Sequence, residues 1–145
     1  MHARSIIAAS IAVFGILCIV GGRAEQPAVP APWGIKLLPG YKHEKLQGID
    51  TIVGRVSKEG GLAFQYDVGR LAGNYVKAQE KDKLLWHKEQ VVDGRPVQIA
   101  LTKDRMLYVT FPETPANFAG KAKSEEEIVD MLLIVLTYTP PAKAK

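Results

Sequence analysis

The sequence predicts an α+β domain: an antiparallel sheet of about five strands with a C-terminal helix packed on one face. Three observations carry that expectation. Runs between residues 50 and 111 alternate apolar and polar residues, the two-residue period of a half-buried strand. Gly-containing turns join these runs, and the clearest is Asp93-Gly94, a dipeptide suited to the left-handed positions of a tight hairpin. From Ile128 the period changes. Ile128, Met131, Leu132 and Val135 fall at i, i+3, i+4 and i+7, which is one face of a helix. Strands that run together before a helix indicate α+β rather than α/β.

The elements follow in order. Ile35–Leu38 is a short apolar run that stops at the turn signal Pro39-Gly40. Tyr41–Gly48 is polar and reads as a loop or a single helical turn. Asp50–Ser57 and Leu62–Gly69 read as a hairpin around Glu59-Gly60-Gly61. Its apolar faces coincide only if paired residue numbers have an even sum, which sets Val56 against Phe64 and Gly54 against Tyr66. Asp67 then lies on the opposite face, near Arg55. Gly69–Asp82 is a connection of undetermined form. Leu84–Val92 is the next strand, and the Asp93-Gly94 turn pairs Trp86 with Leu101 and Lys88 with Ile99. A three-residue loop, Lys103–Arg105, then sets Leu101 against Leu107, Ile99 against Val109 and Val97 against Phe111, an apolar register throughout.

The chain turns through Pro112–Pro115, and the helix starts at Ser124. Ser124 and Glu127 have the spacing of a capping box. Glu125, Glu126 and Glu127 suit the positive end of the helix dipole. Val129, Leu133 and Leu136 form a second apolar side, so the helix is expected to be buried on most sides or to meet a partner as well as the sheet.

Ahead of this domain, residues 1–24 read as a secretion signal. Arg4 supplies the basic start, Ile6–Val20 carries no charge, and Gly22 and Ala24 place small residues before a cut after Ala24. A membrane-spanning helix wants about 20 apolar residues, and this run is shorter. Membrane contact is therefore expected only through this segment, if it stays uncleaved. Cys18 follows Leu17 rather than a small residue, which argues against lipidation. Residues 25–34 form a Pro-rich linker, residues 35–139 the domain and residues 140–145 a tail.

Composition narrows the function classes. Loss of residues 1–24 removes Cys18, the only cysteine, so the exported chain has no disulfide, thiol nucleophile or cysteine metal ligand. The same cut removes Arg4 and Arg23 and lowers the net charge from +4 to +2. No concentrated basic patch is present, so nucleic acid is not an expected partner. Export without disulfides suits a periplasm or cell exterior.

The candidates for chemistry are few. His43 and His87 are the only histidines past the signal, with Glu44 and Glu89 beside them. Nothing in the spacing gathers the three or four ligands a zinc site needs. The expected pairing puts His87, Glu89 and Gln98 on the sheet face opposite Trp86, Val97 and Ile99, together with Ala100, Met106, Tyr108 and Thr110. That half-apolar face is expected to be covered by residues 70–83 or 113–123, or to form a binding surface. Ser57 and Ser124 are the only serines past the signal, and neither lies in a nucleophile elbow. Asp50 and Asp67, near one end of the first hairpin, are a candidate acid–base pair. Gly69 and Gly73 form no nucleotide-binding loop.

The succession LLPGY, GIDTIVGRV, FQYDVGRLAG, VVDGRPVQIAL, VTFPE and KSEEEIVDMLLIV resembles that of small exported bacterial proteins without assigned activity. The layout is also similar to the PsbP-like fold of accessory proteins of membrane complexes. The resemblance implies a fold and no catalytic, cofactor or metal residues. The leading functional expectation is an exported, non-catalytic binding or accessory module, engaging an envelope protein or a small ligand. The alternatives are a small exported hydrolase or metal- or ligand-binding protein using Asp50, Asp67 and His87, and an assembly role for the apolar helix.

Overall fold

The computed structural model describes residues 31–140. The expected signal with Cys18, most of the linker, and residues 141–145 of the tail lie outside the described residues. The fold is α+β, as expected, but the sheet has seven strands rather than about five. They are β1 (Tyr41–Lys45), β2 (Ile52–Lys58), β3 (Ala63–Val68), β4 (Leu84–Val92), β5 (Arg95–Thr102), β6 (Met106–Phe111) and β7 (Ala116–Lys121), and helix α1 (Glu125–Val135) follows. The spatial order is β1-β2-β3-β7-β6-β5-β4, antiparallel at every step.

The two hairpin registers are those the apolar pattern requires. Val56 faces Phe64 and Gly54 faces Tyr66. Trp86 faces Leu101 and Lys88 faces Ile99. Asp93 at φ 50° and Gly94 at φ 74° occupy the two left-handed positions of the tight turn. Leu101 against Leu107 and Ile99 against Val109 complete the meander.

Two corrections account for the strand count. Tyr41–Lys45, read as a loop or helical turn, is an edge strand paired with β2. Its polar sequence hides the period, yet Tyr41 and His43 are buried while Lys42 and Glu44 are exposed. Residues 116–121, expected within a covering segment, form the central strand β7, inserted between β3 and β6. Ala116, Phe118 and Gly120 face the core in alternation. Two of those three are too small to register as a hydrophobic run. Gly120 is required by close packing: a Cβ there would come within 2.5 Å of Phe64 Cβ and 3.1 Å of the Ala63 carbonyl.

The core lies between the sheet and α1. Val56, Phe64, Leu101, Leu107, Val109 and Phe118 from the sheet join Ile128, Met131, Ile134 and Val135 from the helix. Burial of such side chains is worth roughly 1.5–3 kcal/mol each, before the loss of conformational entropy. The Ser124 hydroxyl accepts the Glu127 amide at 3.2 Å. The Glu127 carboxylate accepts the Lys123 amide at 2.5 Å rather than closing back on Ser124. The second apolar side of the helix is only partly buried: Leu136 packs against the core, while Val129 and Leu133 are 52% and 55% exposed. After α1 the chain runs alongside residues 33–36. Thr139 N–H donates to the Trp33 carbonyl at 2.7 Å, and Trp33 stands edge-on to Tyr66 and Tyr138. The last residues of the expected linker are therefore packed on the core.

Candidate functional site

The face of the sheet turned away from α1 carries two cross-strand rows of distinct chemistry. One row reads Val53, Asp67, Asn117, Thr110, Gln98 and Glu89, from β2 to β4. The next reads Arg55, Gln65, Ala119, Tyr108, Ala100 and His87. The first row is polar in its middle, and buried polar groups need partners. Segment 70–79 provides them. Asn117 Oδ1 accepts the Tyr75 amide at 3.0 Å and the Thr110 hydroxyl at 2.7 Å, and its Nδ2 donates to the Ala72 carbonyl at 3.0 Å. Asn74 Nδ2 donates to Gln98 Oε1 at 2.8 Å, and Gln98 Nε2 donates to Glu89 Oε1 at 2.9 Å. Ala72 and Val76 are buried against this row. Of the two covers expected, 70–83 and 113–123, the first covers the face and the second contributes β7 to the sheet itself.

The cover ends at Tyr75. Its hydroxyl donates to Asp67 Oδ2 at 2.9 Å. Burial, then the hydrogen bond and charge of Asp67, push the Tyr75 pKa up to about 12, so Tyr75 remains a donor at ordinary pH. Asp67 Oδ1 is sealed from solvent without a hydrogen-bond partner among the described residues.

Beyond Tyr75 the second row is uncovered on β2, β3 and β7. A half-open groove of about 410 Å³ lies there, bounded by Arg55, Gln65, Asp67, Tyr75, Ala119 and Lys121. Val53, Ala63 and Met106 add apolar lining. Ala119 sets the depth, because a methyl group stands between Gln65 and Tyr108 where a longer side chain would fill the space. Arg55, Gln65 and Lys121 are exposed. In the sequence Arg55 stands out only as a neighbour of Asp67, and Gln65, Tyr75 and Lys121 belong to no motif. The alternation of Asn117, Ala119 and Lys121 is the available signal, and it is faint because Phe118 and Gly120, which alternate with them, do not make an apolar run.

A second hollow, of about 240 Å³, lies at the start of α1 beside Tyr41, Lys58, Glu126, Glu127 and Asp130. The Tyr41 hydroxyl donates to Asp130 Oδ2 at 2.9 Å, and Lys58 Nζ sits 5.6 Å from the Tyr41 ring centre. Burial first, then Asp130, raises the Tyr41 pKa far above the usual tyrosine range.

Asp67 and His87 are not brought together. Asp67 is on β3 and His87 on β4, four strand steps apart, or about 19 Å across the sheet. His87 is exposed, and its neighbour in the row is Ala100. Asp50 is exposed in the β1–β2 connection. His43 is buried, with Nε2 2.9 Å from the Tyr66 hydroxyl and its ring stacked on Tyr66. Among the described residues, no three His, Cys, Asp or Glu side chains gather as a metal site, and no helix is long and apolar enough to cross a membrane.

Comparison with protein-family models, curated proteins and solved structures returns no match.

Proposed function

We infer that this chain is an exported, non-catalytic binding module whose contact surface is the uncovered part of the sheet face opposite α1. One observation carries the reading. Segment 70–79 partners the middle of the polar row, Asn117 and Gln98, with hydrogen bonds, yet leaves the adjoining row open over β2, β3 and β7 as a groove with polar groups at its rim. Pockets that bind ligands combine an apolar lining with a few placed polar groups, and this groove has that character. The separation of Asp67 from His87 works against a hydrolytic site built from both. The export signal and the accessory role of the PsbP-like likeness point to the periplasm or cell exterior.

The test has two parts. N-terminal sequencing of protein recovered from the envelope fraction is expected to begin at Glu25, whereas a chain starting at Met1 would refute export with cleavage. A photo-crosslinking residue at Gln65 should capture a ligand or partner in envelope extract that the same residue at Val129, on the opposite side of the molecule, does not. Equal capture at both positions would remove the groove from the proposal.

A further inference from the structure

Resting on that reading, we propose that the groove is a receptor for a small organic carboxylate with an apolar body, its anionic end held between Arg55 and Lys121. Arg55 on β2 and Lys121 on β7 flank β3. Arg55 shares a cross-strand row with Gln65 and Ala119, and Lys121 lies two residues beyond Ala119, so their backbones stand about 12 Å apart on the diagonal, and both side chains border the same groove. Glu44 lies across from Arg55 on β1 and the charge of Lys121 acts on Asp104, but neither cationic side chain is held in a hydrogen bond or a close ion pair with another described residue. Their reach is long enough to converge over β3 between Gln65 and the small Ala63, with Ala119 beside them. Gln65, between the two cations, adds an amide donor.

The polarity of the groove then sets the ligand's direction. Asp67 and Tyr75 close the other end. The Asp67 carboxylate repels a second anion there, so a dicarboxylate fits poorly. Val53 and Ala119 lie toward that end, and Ala63 and Met106 lie beside Lys121, apolar contacts that suit a short aliphatic or aromatic body. Arg presents a planar fork that matches a carboxylate in bidentate fashion, and Lys121 adds a point charge. A volume of about 410 Å³ is near the lower end of the range for small-molecule sites.

The experiment is an amide-shift NMR titration of ¹⁵N-labelled protein, purified from cells expressing the full-length chain. The probes are hexanoate, its uncharged isostere hexanamide, and inorganic phosphate. Hexanoate is expected to shift the amides of Arg55, Gln65, Ala119 and Lys121 in a saturable way, and to bind more weakly as salt is raised. Arg55→Gln and Lys121→Gln should each weaken it by about tenfold while leaving the remaining amide shifts, and so the fold, unchanged. Hexanamide binding as tightly as hexanoate would overturn the carboxylate assignment and leave the groove as a binding site. Phosphate matching hexanoate would overturn the need for an apolar body. If no probe moves the groove amides while the Gln65 crosslinker still captures a partner, this inference fails and the binding reading stands. If the crosslinker is silent as well, both fail.

Discussion

Asn117 holds Tyr75 from beneath: its Oδ1 accepts the Tyr75 backbone amide at 3.0 Å, from the middle of the sheet and 42 residues away in sequence. Asn117 is fully buried and also serves Thr110 and the Ala72 carbonyl. Replacing it with alanine leaves buried donors and an acceptor without partners. Asn117→Ala should therefore cost about 3 kcal/mol in urea unfolding. Hydrogen exchange at Tyr75 and Val76 should rise more than in the core strands, because the cover is held by this side chain. Uniform acceleration across the sheet would contradict that local role.

Gly54 lies beneath the Tyr66 ring, and an added Cβ would overlap the hydroxyl end of that ring. Tyr66 is 2% exposed and committed to His43, so it does not move freely. Gly54→Ala should cost about 1–3 kcal/mol and alter the His43 ring signals in NMR. Gly120→Ala should cost more, because the clash there is with Phe64 Cβ and backbone rather than with a ring tip. The opposite ranking in thermal unfolding would show that the sheet yields more easily at β7 than at β2.

Alkaline pH gives a third check. The folded-state pKa of Tyr75 is raised to about 12, chiefly by burial, above the ordinary value of about 10. Between those values the unfolded chain has released the phenolic proton and the native chain has kept it. The unfolded state thus binds fewer protons, and stability falls as pH rises. The contribution is complete below about pH 10 and lost by about pH 12, at no more than about 1.4 kcal/mol per pH unit, less for solvent screening. Urea unfolding of Tyr75→Phe should decline less steeply than wild type across pH 10–12. Parallel declines would assign the alkaline loss to other groups.

The helix cap is separable from the rest of the fold. Ser124→Ala removes the acceptor for the Glu127 amide and should cost about 1 kcal/mol. The sheet registers should be unaffected, since β7 is held by β3 and β6 on both sides. Circular dichroism and urea midpoints measure both parts. A loss of several kcal/mol would mean that the cap also anchors β7 through Ala122 and Lys123.

The sequence by itself determined the hairpins, the long meander and the helix start. Each is a local matter: Asp93-Gly94 selects its turn, a one-residue slip of Val56 or Ile99 would turn an apolar face to water, and Ser124 caps the adjacent turn. Only the tertiary structure decided what became of residues 41–45, 70–79 and 116–121. Tyr41–Lys45 is a strand because β2 offers it an edge. Ala116–Lys121 lies at the centre of the sheet, where Gly120 leaves room for Phe64 and Asn117 receives the Tyr75 amide, relationships that no short window of residues records. Segment 70–79 is held by side chains of Asp67, Gln98, Thr110 and Asn117, which meet only after distant strands have paired. The groove beside it inherits the same non-local origin. Arg55, Gln65 and Lys121 are separated along the chain and share a surface only because β7 crosses back to lie against β3.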